Sequence, residues 1–215
     1  KKMSSRRTMI TGAWGLQRQQ YGEQPHWMIT VLACMLGQIG LPGGGFGLGY
    51  SAENGIGNPV QHFKWPSLEQ FKNRVSEFIP VARISDMLLE PGKFFSYNGK
   101  EIKYPDIKLV YWAGGNPFHH QMNLKKLSKA FKQPDTIIVN EIWWNSLARH
   151  SDIILPVTTS LERNDISIKH WDQTISPMHK VIEPIGESKS DYEIFSEIAS
   201  KLNFKDKFTE GKDED

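Results

Sequence analysis

The chain has 215 residues, 39% of them hydrophobic, so it is long enough and apolar enough to form a folded core. Its formal net charge is +2, from 26 basic and 24 acidic residues, which gives nucleic-acid binding little electrostatic support. The single cysteine, Cys34, excludes an internal disulfide and any metal site built from several cysteines. Because Cys34 lies in an apolar run, we expect its thiol to be buried and inert. The run is too short to span a bilayer, so we expect no membrane span.

The first part of the chain combines short regular elements with glycine-rich segments. Residues 7–11 predict a strand that ends at Gly12, and residues 25–36 predict a helix that ends in the glycines that follow. Residues 43–58 are rich in Gly and Asn and predict a long, irregular and mobile loop.

An insertion is predicted next. Apolar residues at steps of three and four predict a helix over residues 67–78, and a second helix is predicted over residues 81–89. An Asn-Gly pair within residues 97–100 lies between strand-like flanks and predicts a β-hairpin. We therefore expect residues 43–106 to be an irregular and partly helical insertion.

The second half alternates between strands and helices. Strands are predicted over residues 108–112, 136–140 and 152–155, separated by helices over 124–131 and 145–150 and followed by an amphipathic helix over 191–202. The pattern predicts an α/β fold with a Rossmann-like, open and mostly parallel sheet flanked by helices, with long loops and a small hairpin insertion. We expect one α/β domain over residues 1–203 and a charged, disordered tail over residues 204–215.

Ligands of open parallel sheets bind beyond the carboxyl ends of the strands. Four short segments are predicted to follow strands at this edge: Trp14–Gly15, Gly115–Asn116, Asn140–Glu141 and Thr158–Thr159. The segment around Asn116 has neither a complete phosphate-binding loop nor a complete dinucleotide fingerprint. From topology alone, this edge predicts a nucleotide-like ligand.

Three long motifs resemble one family of enzymes. They contain Gly-Ala-Trp-Gly-Leu-Gln-Arg within residues 12–47, Ala-Gly-Gly-Asn-Pro within residues 110–121, and Glu-Ile-Trp-Trp and Leu-Glu-Arg-Asn-Asp within residues 141–165. In this order, from residue 8 to residue 195, the chain resembles the dimethyl sulfoxide reductase family of molybdenum enzymes. Within that family it is most similar to the trimethylamine N-oxide and biotin sulfoxide reductases.

The resemblance implies an internal, third-domain-like part of a longer molybdenum oxotransferase. The parent enzyme would carry molybdenum on bis-molybdopterin guanine dinucleotide and reduce trimethylamine N-oxide, dimethyl sulfoxide or biotin sulfoxide. Its partners would be the remaining domains and an electron-donating redox protein such as a c-type cytochrome. The resemblance also implies a bacterial, periplasmic enzyme, with the cytoplasm as the alternative location.

The chain itself is expected to bind cofactor and not to turn over, because it contains no matched metal ligand, no catalytic residue and no iron–sulfur cluster. The alternative is a stand-alone nucleotide-binding or regulatory α/β module without redox activity. The two differ in guanine preference and in the size of the native protein.

The resemblance further implies cofactor contacts by Trp14, Gly15, Arg18, Gly115, Asn116, His120, Asn140, Glu141, Arg163, Asp165 and Asp191. Arg163 would contact the pyrophosphate, while Glu141 and Asp191 would accept hydrogen bonds from guanine. Simpler alternatives are a turn role for Asn116, a salt-bridged surface loop around Arg163 and a helix cap at Asp191. Ribose binding or capping is the alternative for Glu141, and a solvated side chain is the alternative for Arg18. Many relatives carry Ser or Cys at the position of Gly15, so only a backbone contact would survive there.

Overall fold

The structure is a computed structural model that describes residues 1–19, 21–48, 67, 71–76, 78–168 and 174–214. It has the mixed α/β composition and the parallel strand pairs expected from the sequence. Where one domain was expected, the chain divides into two compact units, one of residues 1–63 and 120–123 and one of residues 64–119 and 124–215. Among the described residues, no helix is long and apolar enough to cross a membrane.

The first unit contains a β-α-β arrangement. Its elements are β1 (Met9–Gly12), a 3-10 turn (Trp14–Gln17), α1 (Glu23–Leu36) and β2 (Gly45–Leu48). β1 and β2 pair in parallel along their whole length. α1 ends at Gly37, whose φ of 64° is a backbone conformation that glycine adopts at little cost.

Two sequence-based predictions are wrong in this unit. Within the expected loop 43–58, Gly45–Leu48 form a strand, because Gly45 at φ 87° lets the chain turn and pair with β1; residues 49–58 lie outside the described residues. Cys34 is exposed rather than buried. The buried residue of α1 is its neighbour Ala33, and one residue along an α-helix rotates the side chain by about 100°, away from that face.

The remaining elements follow along the chain. They are a 3-10 turn (Val81–Arg83), α2 (Ile84–Leu89), β3 (Phe94–Tyr97), β4 (Lys100–Lys103), β5 (Leu109–Ala113), α3 (Pro117–His120), α4 (Leu124–Ala130), β6 (Thr136–Glu141), a 3-10 turn (Ala148–His150), β7 (Ile153–Pro156), β8 (Asp165–Ser167), β9 (Ser176–Met178), α5 (Asp191–Lys201) and α6 (Lys205–Thr209). β3 and β4 form the expected hairpin, and β8 pairs with β9 in a second antiparallel ribbon.

A three-stranded parallel sheet in the order β5-β6-β7 forms the centre of the second unit. On one face, Ile137 and Val139 of β6 pack with Leu127 of α4 in a cluster of buried apolar side chains. On the other face, the ring of Tyr111 lies 5.5 Å from the ring of Phe195 in α5. The sheet is therefore covered on both faces, and the three strands predicted for it are confirmed.

An ion-pair cluster ties α2 to α4. Asp86 of α2 accepts a hydrogen bond from Arg83 at 3.1 Å and another from Lys126 of α4. Burial disfavours the charged carboxylate, but the hydrogen bonds from Lys126 and Arg83 outweigh that effect and lower the pKa of Asp86. Lys126 thereby links the two helices.

Three further predictions differ from the structure. The helix predicted over residues 67–78 is not seen at the described residues 67, 71–76 and 78. Phe71 and Val75 are exposed there, so the apolar face that their spacing predicts is not buried. The helix expected over 145–150 contains only the 3-10 turn Ala148–His150.

The third prediction that differs from the structure concerns the charged tail. Its residues Lys205–Thr209 form α6 where disorder was expected. The Phe208 ring stacks on Tyr192 at 5.8 Å between centroids, and the Tyr192 hydroxyl donates to the Lys212 carbonyl at 2.8 Å. Tyr192 belongs to α5, so α6 is stabilised by packing against α5. The sequence of the tail alone does not predict this packing.

Candidate ligand-binding site

The carboxyl edge of the parallel sheet carries polar residues in strand order. Asn116 follows β5, Asn140 lies near the end of β6, and Thr158 follows β7. A parallel bridge at Lys189 extends the sheet beyond β7 and brings the start of α5 to the same edge. The segments after β5, β6 and β7 therefore start at the same edge of the sheet, as the topology predicted.

Asn140 is the central residue of this edge. It is 6% exposed, its Nδ2 donates to Asp191 Oδ1 at 2.7 Å, and its Oδ1 accepts from the Tyr111 hydroxyl at 2.9 Å. Burial raises the pKa of Tyr111, and the Asp191 carboxylate acts in the same direction, so this hydroxyl stays a donor. The amide is thereby fixed with its nitrogen toward Asp191, which is exposed at the first position of α5. Asp191 is therefore an exposed carboxylate whose orientation Asn140 fixes.

Asn116 ends a loop that needs two glycines. Gly114 and Gly115 have φ values of 79° and 72°, which strain any residue with a Cβ. Asn116 Oδ1 accepts from the Phe118 N–H at 2.9 Å, so the turn role is confirmed. Its Nδ2 is buried and has no hydrogen-bond partner among the described residues. Leaving a buried donor without a partner typically costs about 1–3 kcal/mol of folding free energy. The Nδ2 group is therefore suited to donate a hydrogen bond to an acceptor atom of a ligand.

Arg163 and Thr158 form a second polar group. Arg163 Nη1 donates to the Thr158 carbonyl at 2.6 Å, and its Nε and Nη2 donate to Asp165 Oδ2 at 3.1 and 2.9 Å. The salt-bridged loop that was the simpler alternative for Arg163 is thus present. Thr158 Oγ1 is buried and, within the described part of the chain, unpartnered. A cleft of about 470 Å³ is lined by Thr158, Arg163 and Ser196 but not by Asn140.

Glu162 is a structural residue that the sequence-based reasoning missed. It is 4% exposed, and its two carboxylate oxygens accept from the backbone N–H groups of Thr159 at 2.7 Å and Ile185 at 2.8 Å. The spacing Thr-x-x-Glu, typical of a capping box, was the available signal. Through these bonds Glu162 holds the turn that carries Arg163 against the loop before α5.

These bonds predict a pH dependence. The hydrogen bonds from Thr159, then that from Ile185, lower the pKa of Glu162 below 4.5 in the folded chain. A group with a lowered pKa stabilises the fold above its unfolded pKa, and this contribution is lost as pH falls through the folded value. Thermal unfolding followed by circular dichroism should show a smaller loss of melting temperature below pH 4.5 for Glu162→Gln than for the unmodified chain.

Glu187→Gln, at an exposed position of the same loop region, is the matched control and should follow the unmodified chain at every pH. Identical acid profiles for Glu162→Gln and the unmodified chain would contradict this role of the carboxylate.

Glu141 has a local role in the structure. Its Oε1 accepts from the N–H groups of Ile142 at 2.9 Å and Trp143 at 3.4 Å, so it caps the turn after β6. This capping was the simpler alternative for Glu141, and it accounts for one of the two carboxylate oxygens.

Four of the expected contact residues belong to the first unit. Trp14, Arg18 and His120 are exposed, and a Cβ added at Gly15 would meet no atom within 4 Å. Gly15 therefore has room for a larger side chain. The expectation that the strand before Trp14 joins the main sheet is wrong, because β1 pairs with β2 in a separate sheet. Across the described residues, no group of three or more His, Cys, Asp or Glu is arranged to hold a metal ion.

The carboxyl edge of this parallel sheet presents a fixed amide, a carboxylate and buried donors, and open α/β sheets bind their ligands at this edge. The molybdopterin oxidoreductase family profile matches residues 1–201, and the chain belongs to this family. Membership implies a molybdenum–pterin cofactor.

Three relatives agree with this assignment. The chain is 48% identical to the biotin sulfoxide reductase of Cereibacter sphaeroides over 97% of its length and 49% identical to the trimethylamine-N-oxide reductase of Haemophilus influenzae over 98%. It is 46% identical to the dimethyl sulfoxide/trimethylamine N-oxide reductase of Rhodobacter capsulatus over 98%. The chain spans 27–28% of the length of these relatives. The family resemblance read from the motifs is confirmed.

Proposed function

We propose that this chain is a cofactor-binding domain of a molybdenum S- or N-oxide reductase, and that its Rossmann-like sheet edge binds one guanine nucleotide of a bis-molybdopterin guanine dinucleotide. The observation that carries the proposal is the hydrogen-bonded series Tyr111–Asn140–Asp191. When bound, the molybdenum centre would supply the oxygen-atom transfer, and the protein would supply binding and orientation. Trimethylamine N-oxide, dimethyl sulfoxide and biotin sulfoxide are the proposed substrates, because relatives are named for them.

The geometry at Asp191 favours guanine over adenine. Guanine presents two adjacent donors, N1–H and the exocyclic N2 amine, and a carboxylate offers two acceptors. Adenine presents an acceptor at N1, which a carboxylate repels. Because Asn140 holds Asp191 Oδ1 by a 2.7 Å hydrogen bond, the carboxylate needs no reorganisation to receive the base.

The buried polar atoms of this edge also fit the cofactor. Asn116 Nδ2 and Thr158 Oγ1 have no hydrogen-bond partner among the described residues, and a pterin dinucleotide is rich in acceptor oxygens and nitrogens. Arg163, although paired with Asp165, adds positive charge for a pyrophosphate. Contacts by Trp14, Gly15, Arg18, Gly115, His120 and Glu141 are proposed on the resemblance.

Nucleotide preference tests the site. Calorimetric titration of the full chain with GDP, ADP and inorganic pyrophosphate should give at least about tenfold tighter binding for GDP than for ADP. Equal affinities for GDP and ADP would contradict guanine recognition and would favour the alternative, a stand-alone nucleotide-binding module. Absence of GDP binding would overturn the proposed site.

The native protein tests the larger claim. An antibody against this chain should detect, in extract of the source cells, a protein several times longer that travels with molybdenum and N-oxide reductase activity. A protein of 215 residues without molybdenum would contradict the proposal. A periplasmic location and a c-type cytochrome as electron donor stay predictions from the resemblance.

A further inference from the structure

The turn after β6 exposes two neighbouring indoles. Trp143 and Trp144 are 70% and 67% exposed, and Ile142 before them is 45% exposed. Tryptophan is among the most strongly buried side chains on average, and it is enriched where proteins bind ligands and partners. Two exposed indoles in succession therefore need an explanation beyond local folding.

The backbone under Trp143 is held from both sides. Its N–H donates to Glu141 Oε1 at 3.4 Å, and its carbonyl accepts from the Asn145 N–H at 2.7 Å. Asn145 Oδ1 in turn accepts from the N–H groups of Leu147 and Ala148 at 2.9 and 3.1 Å. A fixed backbone presents an aromatic ring at little further loss of conformational entropy, which is the property of a binding residue.

Trp143 is also close to the proposed base-binding carboxylate. It follows Asn140 by three residues, a span of at most about 11 Å of extended chain, and Asn140 is hydrogen-bonded directly to Asp191. A base whose edge is bound by Asp191 still has two apolar ring faces exposed to water. Stacking on an indole covers one of them, and it is independent of the hydrogen-bonding pattern of the base.

We propose that Trp143 stacks on the base of the nucleotide whose edge Asp191 binds. This inference rests on the proposed function and adds to it a residue that contributes affinity without selecting the base. Asp191 would distinguish guanine from adenine, and Trp143 would strengthen the binding of both. Trp143 is chosen over Trp144 because the hydrogen bonds on both sides of its backbone fix its position.

The test compares two neighbouring indoles in the full chain. Trp143→Ala should weaken GDP and ADP binding alike by about tenfold, a typical effect of losing one base–aromatic stack, and should leave inorganic pyrophosphate binding unchanged. Trp144→Ala, with nearly the same exposure in the same turn, is the matched control and should stay within about twofold. GDP should also quench tryptophan fluorescence, and Trp143→Phe should remove that quenching while retaining most of the affinity, even if the alanine variant folds poorly.

The outcomes separate this inference from the proposed function. Guanine-selective binding that is unchanged in Trp143→Ala, with quenching retained in Trp143→Phe, would overturn the stacking role and leave the nucleotide site in place. Weakening by Trp144→Ala alone would overturn the choice of Trp143. Absence of GDP binding to the unmodified chain would overturn both.

Discussion

Replacing Leu127 with alanine should destabilise the second unit by about 3–5 kcal/mol, the range for large-to-small changes at fully buried sites. Leu127 of α4 is 0% exposed and belongs to the cluster with Ile137, Val139 and Leu147. The variant would leave a cavity between the helix and the sheet that neither close-packed layer can fill. Urea unfolding followed by circular dichroism measures the change.

Leu124→Ala provides the control within the same helix. Leu124 is 46% exposed, so its removal should cost about 1 kcal/mol or less. A loss below about 1 kcal/mol for Leu127→Ala would show that the surrounding layers collapse onto the site. That result would contradict the tightly packed core described for the β5-β6-β7 sheet.

The second half of the chain was predictable because its local signals agree with its tertiary contacts. Short apolar runs over β5, β6 and β7 end in Gly, Asn or Pro, and each becomes a strand of the parallel sheet. The Asn-Gly pair at Asn98–Gly99 has positive φ at both residues, as a tight hairpin turn requires. At these places the local sequence is enough to predict the backbone conformation.

Other elements depend on partners that lie far away in sequence. β2 is glycine-rich and forms only because β1 offers a parallel edge. α6 depends on stacking between Phe208 and Tyr192. Conversely, residues 71–76 have helical apolar spacing, yet they form no helix and stay exposed. Periodicity predicts a face, and only the tertiary structure decides whether that face is used.

The same distinction applies to the site. Topology placed Asn140 at the carboxyl edge of the sheet, and the resemblance singled out Asp191. Their hydrogen bond joins residues 51 positions apart, and no local pattern predicts it. The link from Glu162 to Ile185 spans 23 positions and was missed for the same reason.

Replacing Asp191 with asparagine should weaken GDP binding by about 10- to 100-fold, because a hydrogen bond to a charged group contributes about 1.5–3 kcal/mol. The amide keeps an oxygen for the Asn140 N–H, which the carboxylate binds at 2.7 Å, but turns an NH₂ donor toward the donors of guanine. ADP binding should be unchanged or tighter, since the repulsion at adenine N1 is removed. Calorimetric titration with both nucleotides measures the shift in preference.

α5 should survive the substitution, because its capping box is formed by Ser190 and Glu193 rather than by Asp191. Asp206→Asn, which removes the first-turn aspartate of α6, controls for the loss of a negative charge at a helix start and should leave both nucleotides unaffected. Equal weakening of GDP and ADP by Asp191→Asn would mean that the carboxylate orders the site without reading the base. A loss confined to GDP would assign guanine recognition to the exposed carboxylate that Asn140 orients.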